Sequence, residues 1–138
     1  MLLYQFHYST ILISTFKIAL SLIGFDKGVL KDAEDPKWSY KPEYKKSYHV
    51  WRDGLWDQNQ TPNIWIRYST IWYSQLLTKY LGTQEFQRYV KLLNYGNQDI
   101  SGDPGENNGL TYSWLNSSLK ISPKEQVVLI EKLIKEEL

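Results

Sequence analysis

Residues 14–24 have the sequence STFKIALSLIG, which is apolar on nearly every side of a helix. This run predicts a helix over Ser14–Ile23, with Ser14 as its N-cap and Gly24 as its stop. A helix that is apolar all round is typical of an element buried inside a larger body. The first four residues also place a hydroxyl and an amine three positions apart, on one helical face.

Ser14 and Lys17 form a Ser-x-x-Lys pair that suits nucleophilic catalysis. A serine hydroxyl is a poor nucleophile until a neighbouring base takes its proton. A lysine can be that base only where burial disfavours its charged form, and Ile13, Phe16 and Leu20 offer apolar surroundings. In the alternative interpretation, Ser14 only caps a helix and the Lys17 ammonium extends to water. The pair taken alone favours this second interpretation.

Composition limits the classes of function. The chain has 138 residues, enough for one domain, and its 6 Trp and 11 Tyr require a large buried surface. The net charge of +1, with both signs mixed along the chain, argues against nucleic-acid binding. The absence of cysteine excludes disulfides. His7 and His49 lack the spacing of a zinc site, so we expect no metal.

The start of the chain is apolar but does not resemble a signal peptide. It carries no early Lys or Arg, and His7 interrupts the run. Lys17 falls where the core of a membrane span would have to be apolar. We therefore expect a buried helix here, rather than a cleavable signal or a membrane anchor.

The remaining sequence predicts further helices and long loops. Residues 26–63 are expected to be irregular with short helical turns, and residues 98–111 to form a turn-rich loop. One helix is predicted from about Tyr68 to Leu81, stopped by Gly82, and another from Thr83 to the Tyr95-Gly96-Asn97 segment. Strands are expected to be few. The residues predicted to anchor the first loop are Trp38, Tyr40, Trp51 and Trp56, and those predicted to form the core stripe of the Thr83 helix are Phe86, Tyr89, Val90 and Leu93.

The last helix has the strongest local signals. Ser122-Pro123-Lys124-Glu125 combines an N-cap, a proline at the first helical position and a capping box. Its predicted core face consists of Val127, Ile130 and Ile134.

Two further segments complete a pattern that begins with Ser14 and Lys17. Ser69-Thr70-Ile71 comes next, followed by Tyr95-Gly96-Asn97, and Trp114-Leu115 precedes Ile121-Ser122-Pro123. Ser-x-x-Lys, Ser-x-Ile and Tyr-Gly-Asn in this order resemble the class D (oxacillinase-type) serine β-lactamases, over roughly residues 14–138. The resemblance implies a mainly α chain, the helical part of the α/β fold that these enzymes share with penicillin-binding-protein transpeptidase domains.

The same resemblance implies roles for individual residues. Ser14 would form an acyl-enzyme with a β-lactam antibiotic, and Lys17, carboxylated by carbon dioxide, would be the general base. Ser69 would pass a proton to the departing nitrogen. Phe16, Ile71, Trp114 and Leu115 would enclose the carbamate, although Trp114 has the alternative of being a plain core aromatic. Tyr95, Gly96 and Asn97 would be structural. Apart from carbon dioxide, no cofactor is implied.

Ser69 and Ile71 impose a geometric condition. Two residues apart on a regular helix, they would point in different directions. They can share a site only if the second helix starts at or just after Ser69.

The sequence departs from the family's pattern at both ends. The family's Lys-Thr/Ser-Gly strand occurs nowhere, and residues 1–13 do not resemble the strands that usually precede the nucleophile. We therefore expect an internal fragment, with an atypical segment over 1–13 and a partial domain over 14–138. Loss of one oxyanion donor slows such reactions about a hundred- to a thousandfold, so we expect weak or no activity. An uncovered apolar helix would favour self-association or aggregation.

Three functions remain open at this point. The first is β-lactam hydrolysis, which the apolar walls around Lys17 favour. The second is a penicillin-sensing domain that is acylated but does not turn over, and the third is an inactive helical remnant. The family implies a periplasmic or secreted protein, but without a clean signal peptide the location of this chain stays open.

Overall fold

In the part of the chain that the structure describes, five α-helices make up most of the regular structure. The computed structural model describes residues 2–47 and 51–138, with side chains described for 13–45 and 51–138. Within these ranges, β-type pairing is limited to one antiparallel bridge between Trp38 and Gln60. The prediction of a mainly α chain is therefore confirmed. The helices are α1 (Leu2–Asp26), α2 (Pro62–Tyr68), α3 (Ile71–Leu92), α4 (Gly109–Tyr112) and α5 (Pro123–Ile134), with a 3₁₀ helix over Pro42–Ser47.

Helix α1 is longer than predicted at both ends. It begins at Leu2, so Ser14 lies in the interior of the helix and the prediction that it is the N-cap is wrong. The physical reason is that no proline or glycine precedes Ser14 to interrupt a helix. Gly24 is also helical, and the chain turns away only after Asp26, through Gly28 at a φ of 77°. The residues of α1 that are buried include Phe16, Lys17, Ala19, Leu20 and Ile23.

A tight turn at Ser69-Thr70 separates α2 from α3. Thr61 caps α2, and Pro62 occupies its first turn. The predicted helix start at Tyr68 is wrong, because Tyr68 is the last residue of α2. Ser69 adopts a left-handed conformation (φ 57°, ψ 40°) and α3 begins at Ile71. The condition that the helix should start just after Ser69 is thus confirmed.

Helix α3 is the central packing element. It packs against α1 on one side and α4 on another. Gly82 is non-helical (φ 77°, ψ 162°) and divides α3 at the predicted stop. Phe86, Tyr89 and Val90 are buried as predicted, and Leu93 is half-buried. The Tyr89 hydroxyl donates to Asp26 Oδ2, which ties α3 to the end of α1.

Aromatic side chains attach the loop between α1 and α2 to α3. Trp56 is buried, while Trp38, Tyr40 and Trp51 are half-buried against the core, so the predicted anchoring is confirmed. The Tyr73 hydroxyl donates to the Pro36 carbonyl at 2.8 Å. This loop therefore covers one side of α3, and it lies next to the turn that carries Ser69.

Helix α5 has the predicted start but not the predicted core face. The Ser122 capping box is present and Pro123 is in the first turn. Val127 and Ile134 are 55% and 75% exposed, Ile130 is also exposed, and Leu129 is the buried residue instead. Periodicity located an apolar face but could not show whether another element covers it. Ile18 of α1 is exposed as well. Exposed apolar residues of this kind are the basis of the expected self-association, which stays a prediction.

In the described ranges, no helix combines the length and the hydropathy needed to cross a membrane.

Candidate active site

Helix α1 places an exposed hydroxyl one turn from a buried amine. Ser14 is exposed, whereas the Lys17 side chain is only 4% exposed. Burial lowers the pKa of Lys17 from 10.5 to about 8, because the ammonium loses its hydration there. The alternative in which this ammonium extends to water is thus not what the fold shows. A lysine in this state can give up its proton close to neutral pH.

Ser69 reaches Ser14 from the turn between α2 and α3. Its Oγ lies 3.2 Å from Ser14 Oγ and donates a hydrogen bond to it. The two serines are 55 residues apart in sequence, and the left-handed conformation at Ser69 directs its side chain out of the helical path. The structure therefore brings Ser14 and Ser69 into contact, and it places Lys17 one helical turn along α1 from Ser14.

An aromatic cluster surrounds Phe16, which lies between Ser14 and Lys17 on α1. The ring of Phe16 stacks on Trp114, with 5.1 Å between centroids and 19° between planes. Tyr95 and Phe86 contact Phe16 edge-on, at 5.5 and 6.1 Å. All four residues are buried. The position of Trp114 fits a wall of the site as well as a core aromatic, so its predicted role stays a prediction.

The other two predicted wall residues, Ile71 and Leu115, are also buried. Phe86 also belongs to this cluster, although the sequence interpretation gave it only a position in the core stripe of α3. Its spacing on α3 carried no signal for the contact with Phe16, which comes from a distant part of the chain. A cavity of about 270 Å³ opens beside this cluster, lined in part by Phe16, Trp114 and Lys120.

The Tyr95-Gly96-Asn97 segment joins the end of α3 to the loop that follows Trp114. Asn97 N donates to the Lys120 carbonyl at 2.8 Å, and its Oδ1 accepts from Lys120 N at 2.9 Å. Its Nδ2 donates to the Ser118 carbonyl at 2.8 Å. Burial raises the pKa of Tyr95 well above its usual value. These contacts give the segment a bracing position beside the cluster.

The turn at Ser69 provides a prediction on stability. Ser69→Gly and Ser69→Ala both remove the hydroxyl, but only glycine adopts a positive φ without steric cost. We expect the glycine variant to be the more stable, by up to about 1 kcal/mol in urea-induced unfolding. An alanine variant as stable as the glycine variant would contradict the left-handed conformation at this position.

The comparisons with known proteins match nearly the whole chain. The penicillin binding protein transpeptidase domain model matches residues 13–137. β-Lactamase OXA-9 from Klebsiella pneumoniae is 48% identical over 121 residues, which cover 88% of this chain and 43% of the relative. The crystal structure of the OXA-427 class D β-lactamase is 46% identical with a TM-score of 0.81, covering 91% of this chain and 50% of that one.

A relative of another kind also matches. The methicillin resistance mecR1 protein of Staphylococcus aureus is 36% identical over 121 residues, 87% of this chain and 18% of that protein. The chain thus spans half or less of the length of the relatives it matches.

Proposed function

The chain belongs to the penicillin-binding protein transpeptidase domain family and is similar to class D β-lactamases, and on that premise we propose that it forms the acylation site of a serine β-lactamase. The proposed substrates are β-lactam antibiotics. The observation that carries this proposal is the contact of 3.2 Å between Ser69 Oγ and Ser14 Oγ, one helical turn from a buried Lys17. In this proposal Ser14 is the nucleophile, Ser69 is the proton relay and Lys17 is the base.

In the proposed acylation, one proton passes from Ser14 through Lys17 and Ser69 to the lactam nitrogen. Ser14 Oγ bonds to the lactam carbonyl carbon and its proton passes to the neutral Lys17 amine. The carbon–nitrogen bond of the ring then breaks. Ser69 Oγ gives a proton to the departing nitrogen and recovers one from Lys17. Water afterwards hydrolyses the ester and releases Ser14.

We also propose Lys17 as the site at which carbon dioxide binds. Carboxylation needs a neutral amine, which burial favours by lowering the pKa of Lys17 to about 8. Phe16, Ile71, Trp114 and Leu115 are buried and would keep water from the group. When bound, carbon dioxide supplies a carbamate that can accept a proton where the amine otherwise would. A carbamate resonance in carbon-13 NMR with labelled bicarbonate, absent from Lys17→Met, would test this without measuring activity.

A penicillin-sensing domain is the second candidate function. The similarity to the methicillin resistance mecR1 protein favours it. A sensor and a hydrolase share the acylation step and differ in whether water discharges the ester. The buried side chains of Phe16, Ile71 and Leu115 support the hydrolase, because they would favour a carboxylated Lys17, which is the general base that the resemblance implies for deacylation.

The fate of the acyl group tests the proposal. The chain is treated with a penicillin, freed of excess reagent, and followed by intact-protein mass spectrometry. For a hydrolase we expect the adduct mass to disappear, and to do so faster when bicarbonate is added. An adduct that persists for hours in bicarbonate would favour the sensor over the hydrolase, and a chain that forms no adduct would contradict both.

A further inference from the structure

The turn that carries Ser69 is held by the carbonyl of Trp65. The backbone N–H groups of Ser69 and Thr70 both donate to Trp65 O, the second at 3.1 Å. A left-handed conformation is unfavourable for serine, so the turn persists only where its surroundings hold it. The position of the Ser69 hydroxyl therefore depends on how firmly Trp65 itself is held.

Trp65 is held from the first turns of α3. Its side chain is fully buried, and its indole Nε1 donates to Ser74 Oγ at 2.9 Å. Ser74, which is also fully buried, donates in turn to the Thr70 carbonyl at 3.4 Å. These bonds form a closed ring that runs from Trp65 to Ser74, to Thr70 and back to Trp65. Ser69 lies in the stretch of backbone between Trp65 and Thr70 that this ring closes.

A second pair of indoles holds the residue before Ser69. Trp56 Nε1 donates to the Tyr68 carbonyl at 3.0 Å. Trp72 Nε1 donates to the Trp56 carbonyl at 2.9 Å, and both tryptophans are buried. The peptide that leads into Ser69 is thus bonded from the loop side, the peptide that follows it is bonded to Trp65 of α2, and the Thr70 carbonyl after that is bonded from Ser74 of α3.

We propose that Trp65 and Ser74 are positioning residues that hold the Ser69 hydroxyl against Ser14. This inference rests on the proposed acylation chemistry, in which Ser69 relays the proton. Neither residue contacts Ser14, and both act through the backbone of the turn. Without the indole bond, the turn can relax toward a more favourable conformation and carry the hydroxyl out of reach.

The acylation step provides the first test, with Ser74→Ala as the variant. Because displacement by about 1 Å can cost up to a hundredfold in rate, we expect the rate constant for labelling by a fluorescent penicillin to fall about tenfold or more. The concentration giving half-maximal rate should stay unchanged. Thr78→Val is the matched control, since Thr78 is buried on α3 and donates to the Gln75 carbonyl, away from the turn. Its rate constant should stay within about twofold.

A cross-linking test measures the position of Ser69 without any acylation. The chain has no cysteine, so Ser14→Cys with Ser69→Cys creates a single pair that forms a disulfide only when the two positions meet. We expect mild oxidation to close this disulfide quickly, and adding Ser74→Ala to slow its closure by a factor similar to the loss in labelling. Should Ser74→Ala fail to fold, Trp65→Phe removes the same hydrogen bond from its other end.

The two tests separate this inference from the proposed function. Slower disulfide closure in the Ser74→Ala background supports the positioning role, even if the wild-type chain is never labelled and the proposed function fails. Unchanged disulfide closure, or an equal loss of rate in Thr78→Val, would overturn the positioning role while leaving acylation by Ser14 intact.

Discussion

Replacing Lys17 by methionine is expected to stabilise the folded chain at pH 7 while stopping the acylation of Ser14. The pKa of Lys17 falls from 10.5 to about 8 on burial, which measures the cost of keeping its charge inside the fold. At about 1.4 kcal/mol per pH unit, removal of that charge should raise the free energy of unfolding by about 3 kcal/mol. Methionine fills a similar volume and offers no base.

The contribution of Lys17 to the free energy of unfolding changes with pH in one direction. Between pH 8 and pH 10.5 the unfolded chain keeps a proton on Lys17 that the folded chain has released. The unfolded state then binds more protons, so the contribution of Lys17 makes the folded state more stable as the pH rises through this window. Below about pH 8 both states are protonated and the full cost of the buried charge is present. The stability gained by Lys17→Met should therefore be largest below pH 8 and shrink toward pH 10.5.

Urea-induced unfolding of both chains at several pH values, in buffers free of carbon dioxide, measures this difference. Labelling by a fluorescent penicillin measures the lost function, and in the unmodified chain it should rise with pH up to about the pKa of Lys17. A methionine variant that is less stable at pH 7, or that labels at the original rate, would contradict a buried, catalytically competent lysine.

Replacing Gly96 by alanine is expected to disrupt the fold. A Cβ at this position would lie 1.8 Å from the Lys120 carbonyl oxygen, and the φ of 51° is itself unfavourable for alanine. The clash is with backbone that Asn97 holds by hydrogen bonds on both sides, so no flexible side chain can yield. We expect a loss of about 4 kcal/mol or more, close to the whole stability of a small domain.

Gly105→Ala is the matched control for this change. Gly105 has a similar positive φ of 79°, but an added Cβ would meet nothing within 4 Å. The Gly105→Ala variant should lose only the cost of placing alanine at a positive φ, about 1 kcal/mol of its free energy of unfolding. Thermal unfolding followed by circular dichroism compares the two variants. Equal losses would show that the loop carrying Lys120 can move away from the end of α3.

Local signals in the sequence were reliable where the structure depends on local chemistry. The capping box at Ser122 and the break at Gly82 are properties of a few neighbouring residues, and both are present. The start of α3 followed from the family resemblance combined with helix geometry, because Ser69 and Ile71 could share a site only if the helix began at or just after Ser69. The start of α1 was predicted wrongly since a serine can cap a helix, but nothing required this one to do so.

The parts that could not be predicted depend on distant contacts. The predicted core face of α5 was Val127, Ile130 and Ile134, but the buried residue is Leu129, because which side of the helix is covered depends on elements elsewhere in the chain. The contact between Ser14 and Ser69 joins residues that are 55 positions apart. It was expected only through the family resemblance. The indole bonds of Trp56 and Trp65 had no sequence signal, because tryptophan in a core is common without such a role.

The most direct test of the central claim is where a penicillin attaches to this chain. The chain is incubated with a penicillin, digested, and mapped by mass spectrometry. We predict one adduct per chain, on the peptide that carries Ser14, lost in Ser14→Ala and retained in Ser21→Ala on the same helix. Absence of an adduct, attachment to another serine, or labelling that survives Ser14→Ala would contradict the assignment of Ser14 as the nucleophile.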